Sequence, residues 1–168
     1  EHETRGVAFG KTLITEAADL LFEACSTDDI TTAVGGSTLP FSTTLATIAL
    51  ADLTNEGITA TDNCNIASIT YQDASDGATC PETITRTFTV TDDCGNVTTV
   101  EQTITIDDTT DPVVSEPTDL VLEACSTDDI TTAAGGSALP FSTTLATITL
   151  TELSAEGITA TDNCNIAS

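Results

Sequence analysis

Residues 21–68 and 121–168 match without a gap at 39 of 48 positions, so the chain has a period of 100 residues. A duplicate of this length means that one unit is built twice, and nearly the same side chains must solve the same folding problem in each copy. The register assigns residues 20–112 to a complete repeat and 113–168 to the first, incomplete part of the next. Residues 1–19 fall at the end of a preceding repeat and its linker. There EHETRGVAFGKTLITEAAD keeps almost nothing of the aligned EQTITIDDTTDPVVSEPTD. It is either a divergent repeat or unreliable sequence, and it holds His2, Arg5 and Lys11. ITATDNCNIAS stands mid-unit at 58–68 and again at 158–168. We therefore expect a window cut from a longer periodic chain, or a half-domain completed by another copy through donated strands.

Inside one period the apolar residues are mostly Ile, Val, Leu and Ala in short runs between Thr, Asp and Gly, a pattern that favours strands. Strand A is DLVLEA (119–124), strand B falls within TLATIAL and ITATD, and strand C is IASITYQD (66–73). PETITRTFTV (81–90) and VTTVEQTITI (97–106) form a hairpin across TDDCGN. ALADLTNEG and TLTELSAEG read as one short helical turn closed by Gly57 or Gly157, with Thr149 and Glu152 spaced as a capping box. Residues 31–44 are a Gly/Ser/Pro loop. Roughly seven strands in one period predict an all-β fold, with tandem immunoglobulin-like sandwiches of about 100 residues stapled by disulfides.

Charge excludes whole classes of partner. Acids number 27 against three Lys and Arg, for a net charge of −24. Phosphate backbones demand basic residues, and anionic lipid repels such a chain, so nucleic acid and direct membrane insertion are excluded. Cations are the attracted class, although acidic surfaces also keep exported proteins soluble. The six cysteines contain no CxxC pair, which argues for disulfides in an oxidising compartment over zinc.

ATDNC, TDDCGN and DDTTDPV, in that order behind a strand ending in EAC, resemble the HYR-type and related Ig-like repeats of large Bacteroidetes surface proteins, gliding-motility adhesins among them. The resemblance covers residues 20–168. It implies a secreted, multi-repeat, non-enzymatic surface protein.

Four cysteines per repeat allow three pairings. Cys80 and Cys94 flank a strand roughly 30 Å long at about 3.3 Å per residue, beyond a disulfide's reach of about 6 Å. Immunoglobulin topology puts Cys25 and Cys80 at one pole and Cys64 and Cys94 at the other, which predicts those two pairs; free buried thiols are the alternative. Asp107, Asp108 and Asp111 crowd the linker, and in a tandem array they approach Asp162 and Asn163. This set of hard oxygen donors suits calcium at repeat junctions, an architecture shared with cadherin-like proteins. The competing reading is a turn whose Asp side chains cap backbone amides. At the first junction the aligned residues are Val7, Ala8 and Lys11, so no such site is expected there. Arg86 shares parity with Ile84, Phe88 and Val90 on an apolar face. It must pair with a carboxylate and carbonyls, or sit on a bulge. Asp108-Thr109-Thr110 and Asn96-Val97-Thr98 match short O- and N-glycosylation patterns.

No nucleophile elbow, P-loop or HExxH occurs, and nothing in the acids' spacing selects a catalytic pair, so no enzymatic activity is expected. The expected role is a structural repeat of a long extracellular stalk, fibre or adhesin, acting as a stiff acidic spacer whose partners are other copies of itself. The alternatives are a ligand- or glycan-binding adhesin module, disfavoured by nearly invariant loops and few aromatics, or an accessory domain of a secreted enzyme.

Overall fold

The computed structural model describes residues 12–166. The chain divides into two units, one through Thr109 and one from Thr110. His2, Arg5, Val7, Ala8 and Lys11 lie outside the described residues.

The first unit contains β1 (Leu13–Ile14), β2 (Leu20–Glu23), β3 (Ala46–Ile48), β4 (Ala60–Thr61), β5 (Ile66–Ser75), β6 (Glu82–Asp92) and β7 (Val97–Asp107). Five form one sheet in the order β2-β7-β6-β5-β3, and β1 pairs with β4 as a second layer. All pairs are antiparallel except β2 with β7, which ties the start of the unit to its end. The fold is an all-β, Ig-like sandwich with little helix.

Strict alternation builds the inner face. On β6, Ile84, Arg86, Phe88, Val90 and Asp92 point inward while the threonines between them point outward. Ile69, Tyr71, Phe88 and Val90 meet Leu39, Leu53, Ile58 and Ala60, with Ile14 packed alongside. Toward the other end, Ile84, Ile104 and Ile106 pack with Phe22 and Ile30. Each fully buried Ile or Leu contributes about 1.5–3 kcal/mol. Between β3 and β4 a single helix, α1 (Leu50–Asn55), carries Leu53 into this core. Gly57, at φ +79°, closes it in the left-handed conformation that favours glycine.

Residues 12–19 differ from the sequence reading. Thr12 is buried, Ile14 and Ala17 pack on the core, and β1 pairs with β4, so the unit begins at least seven residues before residue 20. The reason is register. Leu13–Ile14 takes the place that β8 (Val113–Val114) takes against β9 (Ala160–Thr161) in the second unit. Expected strand B also splits, into β3 and β4, with α1 between them.

The second unit holds β8, then a 3-10 turn at Thr127–Asp129 that repeats Thr27–Asp29 of the first unit, then α2 (Leu150–Ala155) and β9. The predicted capping box is present on α2: Thr149 Oγ1 accepts from the Glu152 amide at 3.2 Å, and Glu152 Oε2 accepts from the Thr149 amide at 2.7 Å. DLVLEA (119–124) is not a strand here, although its counterpart β2 is. Among the described residues the second unit contains no strand equivalent to β7, so this segment has no ladder to join.

Candidate functional site

Three polar side chains cross the middle of the inner face on one rung. Asp73 of β5 stands opposite Arg86 of β6, and Arg86 stands opposite Gln102 of β7. They are 3%, 0% and 1% exposed. Asp73 receives the guanidinium at two points: Nε to Oδ1 at 2.8 Å and Nη2 to Oδ2 at 2.9 Å. The other nitrogens reach the 37–42 loop. Nη1 donates to Ser37 Oγ at 2.6 Å, and Nη2 donates to the carbonyls of Leu39 at 3.2 Å and Pro40 at 3.0 Å.

The loop is fastened from other sides as well. Ser42 and Asp73 exchange bonds, and Tyr71 Oη donates to the Pro40 carbonyl at 2.8 Å. Glu56 accepts from Ser37 Oγ at 2.8 Å and from the Thr38 amide at 2.7 Å. The guanidinium carbon lies 4.8 Å from the Tyr71 ring centroid, which adds a cation–π contact. Arg86 thus acts as a key in a socket built from two strands and a loop. A buried arginine with its charge neutralised and its donors filled is structural chemistry and offers nothing to a substrate.

Asp73 and Ser37 were not singled out by sequence reasoning. The available signal was parity: Asp73 shares a face with Ile69 and Tyr71, so an inward carboxylate on a neighbouring strand could have been matched to Arg86.

The cysteines occupy two poles. Cys64 and Cys94 are neighbours in the turns before β5 and before β7. Cys94, foremost, together with burial and the carboxylates of Asp62 and Asp92, pushes the Cys64 thiol above its usual range. Cys25 follows β2 and Cys80 precedes β6 at the opposite pole. Cys25 is disulfide-bonded, whereas Cys64, Cys80, Cys94 and Cys125 are free, exposed thiols. The expected Cys25–Cys80 bond is not formed. β7 runs between β2 and β6, which separates the two strands by two spacings, about 9–10 Å. Cys80 Sγ instead lies 3.9 Å from the Asp108 carbonyl.

Much of the acidity is consumed locally. The amides of Cys64, Cys94 and Cys164 donate to Asp62, Asp92 and Asp162, each two residues earlier, at 2.7, 2.8 and 2.8 Å. Those of Cys25 and Cys125 donate to Asp29 and Asp129 at 3.1 Å. Five of the six cysteines are therefore positioned by an aspartate, and these carboxylates act as backbone caps. Asp92 is bound most fully. The Asn96 side chain and the Asn96, Cys94 and Gly95 amides hold its carboxyl below the usual range.

The residues of the calcium expectation fall in both units. Asp107 ends β7, and its carbonyl accepts from the Ala24 amide at 3.2 Å. Asp108 follows it in the first unit; Asp111, Asp162 and Asn163 belong to the second. Asp162 already accepts from Cys164.

A shallow groove of about 480 Å³ runs between Ile48, Ala60 and Ile66, with Asp62 and Cys64 at its end. It gathers no acid–base pair or nucleophile with its base. No described helix is long and apolar enough to cross a membrane.

Residues 37–106 match the family model described as HYR-like domain with 4 cysteines. The matched stretch runs from Ser37 of the arginine socket to the last buried isoleucine of β7, and it supports an HYR-type domain there. HYR-like domains are Ig-like, in agreement with the sandwich, and are themselves non-enzymatic; the match supports an extracellular, adhesion-type repeat module over these residues. No curated protein and no solved structure shows a match to the chain.

Proposed function

We propose that the protein is a structural repeat of a long extracellular stalk, fibre or adhesin, and that it works as a stiff acidic spacer. One observation carries this reading: what repeats between the copies is the scaffolding itself. Ser26 with Asp29, Ser37 with Glu56 and Asp62 with Cys64 recur as Ser126, Asp129, Ser137, Glu156, Asp162 and Cys164. Selection for identical scaffolding suits a spacer, in which every bead must fold and join alike. A binding module would instead diversify its loops, and 31–44 differs from 131–144 only at Val34 and Thr38.

Two finer elements belong to the same reading. Closure of Cys64 with Cys94 would staple the pole at which their turns meet, with about 2–5 kcal/mol of stabilisation. Calcium would be taken by Asp107, Asp108, Asp111, Asp162 and Asn163, on the chemistry of their hard oxygen donors alone. Calorimetric titration of the full chain with calcium should give saturable heat and a raised melting temperature; no heat and no shift would remove the metal from the proposal.

The spacer role is tested by immuno-electron microscopy of the producing cells. Antibody against the chain should decorate long extracellular projections at regular intervals. Antigen confined to the cell interior would overturn the reading.

A further inference from the structure

The outer face of the five-stranded sheet differs from the rest of the molecule in charge. β6 presents five threonines outward in succession, from Thr83 to Thr91. The register aligns Thr47, Thr70, Thr89 and Thr99 on one rung across four strands. Next to it stand Gln72, Thr87 and Glu101, followed by Ala74, Thr85 and Thr103. Thr85, Thr99 and Thr103 are exposed, and Thr87 and Thr89 are half-buried by their neighbours. In a chain with 27 acids, Glu101 is the only charged residue among the described ones on these three rungs, with the exposed Asp19 carboxylate accepting from the Thr103 amide at 2.9 Å at the β7 edge. The acids of the first unit lie mostly in its turns, at the poles, on α1 or buried on the inner face.

We infer that this threonine face is where a second copy of the chain docks, sheet against sheet. The inference rests on the spacer reading and adds to it the surface by which spacers associate side by side. Two arguments select a second copy. First, net charges of −24 oppose one another in any approach of two copies, and this nearly uncharged face meets the least repulsion. Secondly, a hydroxyl both donates and accepts, so an array of threonines is its own hydrogen-bonding complement, which an array of carboxylates is not. Short side chains also let two sheets lie close, with methyl groups interleaved.

Size sets the strength. Three strands at about 4.8 Å and nine residues at about 3.3 Å, with the short β3 beside them, cover roughly 450–500 Å² per copy, below the about 800 Å² per partner of a standard stable interface. One repeat therefore associates weakly, and repeats in series gain by avidity. Salt strengthens the contact, because the Debye length falls from about 10 Å at 0.1 M to about 3 Å at 1 M and screens the opposing acids.

Sedimentation equilibrium of the full chain, over a concentration series at low and at 1 M sodium chloride, tests the inference. Mass should rise with concentration toward twice the monomer at high salt. Glu101→Gln should tighten association about threefold or more, and Thr99→Asp, at an exposed position, should weaken it about tenfold. Circular dichroism melts confirm that both variants are folded. Thr85→Asp, also at an exposed position of the face, serves as the second disruptive variant if Thr99→Asp is not folded. A folded chain that stays monomeric at every salt, or association indifferent to both substitutions, overturns the inference. Either result leaves the spacer reading standing, since that falls only on its own localisation test.

Discussion

Arg86 Nε meets Asp73 Oδ1 at 2.8 Å in the middle of the sandwich, and neither side chain has any exposed surface. The pair lies between the two hydrophobic clusters and ties the sheet to the 37–42 loop. Breaking one partner leaves the other charged and buried. Arg86→Met should therefore cost about 3–5 kcal/mol, and Arg86→Lys should also destabilise, because an ammonium cannot reproduce the planar fork. The double variant Arg86→Met, Asp73→Leu should recover much of the loss. Urea denaturation of the four proteins checks this, and equal stability of Arg86→Met and the parent would refute it.

Acid should weaken the fold. Asp92, through Asn96 and neighbouring amides, and Asp76, through the amides of Ala78 and Thr83, have folded carboxyl values below the usual range. A group depressed in this way binds its proton less readily folded than unfolded. Its stabilisation is complete above the ordinary aspartate value of about 3.9 and is lost as pH falls through the lowered folded value. Denaturation midpoints measured from pH 6 to pH 2 should fall at the acid end, and Asp92→Asn should flatten that slope.

Cys64 should be a slow nucleophile for a surface thiol. Cys94 and the carboxylates of Asp62 and Asp92 disfavour its thiolate. Alkylation of the reduced protein at pH 8 should modify Cys80 faster than Cys64, and Asp62→Asn should narrow the gap. After mild oxidation, peptide mapping should recover a Cys64–Cys94 link; a Cys64–Cys80 link would be incompatible with their opposite poles.

Gly36 should not tolerate a side chain. A β-carbon there would run into the carbonyl oxygen of Ile30, and Gly136 stands in the same relation to Ile130. Gly36→Ala should cost about 1–3 kcal/mol by overpacking, read as a lower melting temperature. An unchanged melt would show that the 30–36 turn can shift.

Legibility followed the range of the interactions. The hairpin of β6 and β7, the strand at β5, the helical turn ending at Gly57 and the Thr149–Glu152 box could all be read from local pattern. The short strand at Leu13–Ile14 could not, since two residues carry no period and its place depends on β4. Arg86 stood out as a misfit on an apolar face, but its partners lie 13 and 46–49 residues away in sequence. Asp29, Asp62 and Asp92 cap the amides of Cys25, Cys64 and Cys94. That use needs only two to four residues of spacing; TDDCGN was legible as a turn, but the bond from each cysteine amide to the aspartate two residues earlier was not drawn from DNC and DDC.

The two copies separate what each level decides. The 3-10 turn after Ser26, the helix after residue 49 and the aspartate-capped turn before Cys64 all recur in the second unit, because their hydrogen bonds close within a few residues. Sequence alone determined those, along with the repeat, the β class and the cysteine positions. LLFE at 20–23 is a strand, whereas the aligned LVLE at 120–123, which differs only by Leu21 to Val121 and Phe22 to Leu122, is not. ATI is a strand at 46–48 and not at 146–148. Tertiary structure decided these, because a strand's amides and carbonyls are satisfied only by another strand, and β7 and β5 supply that neighbour in the first unit.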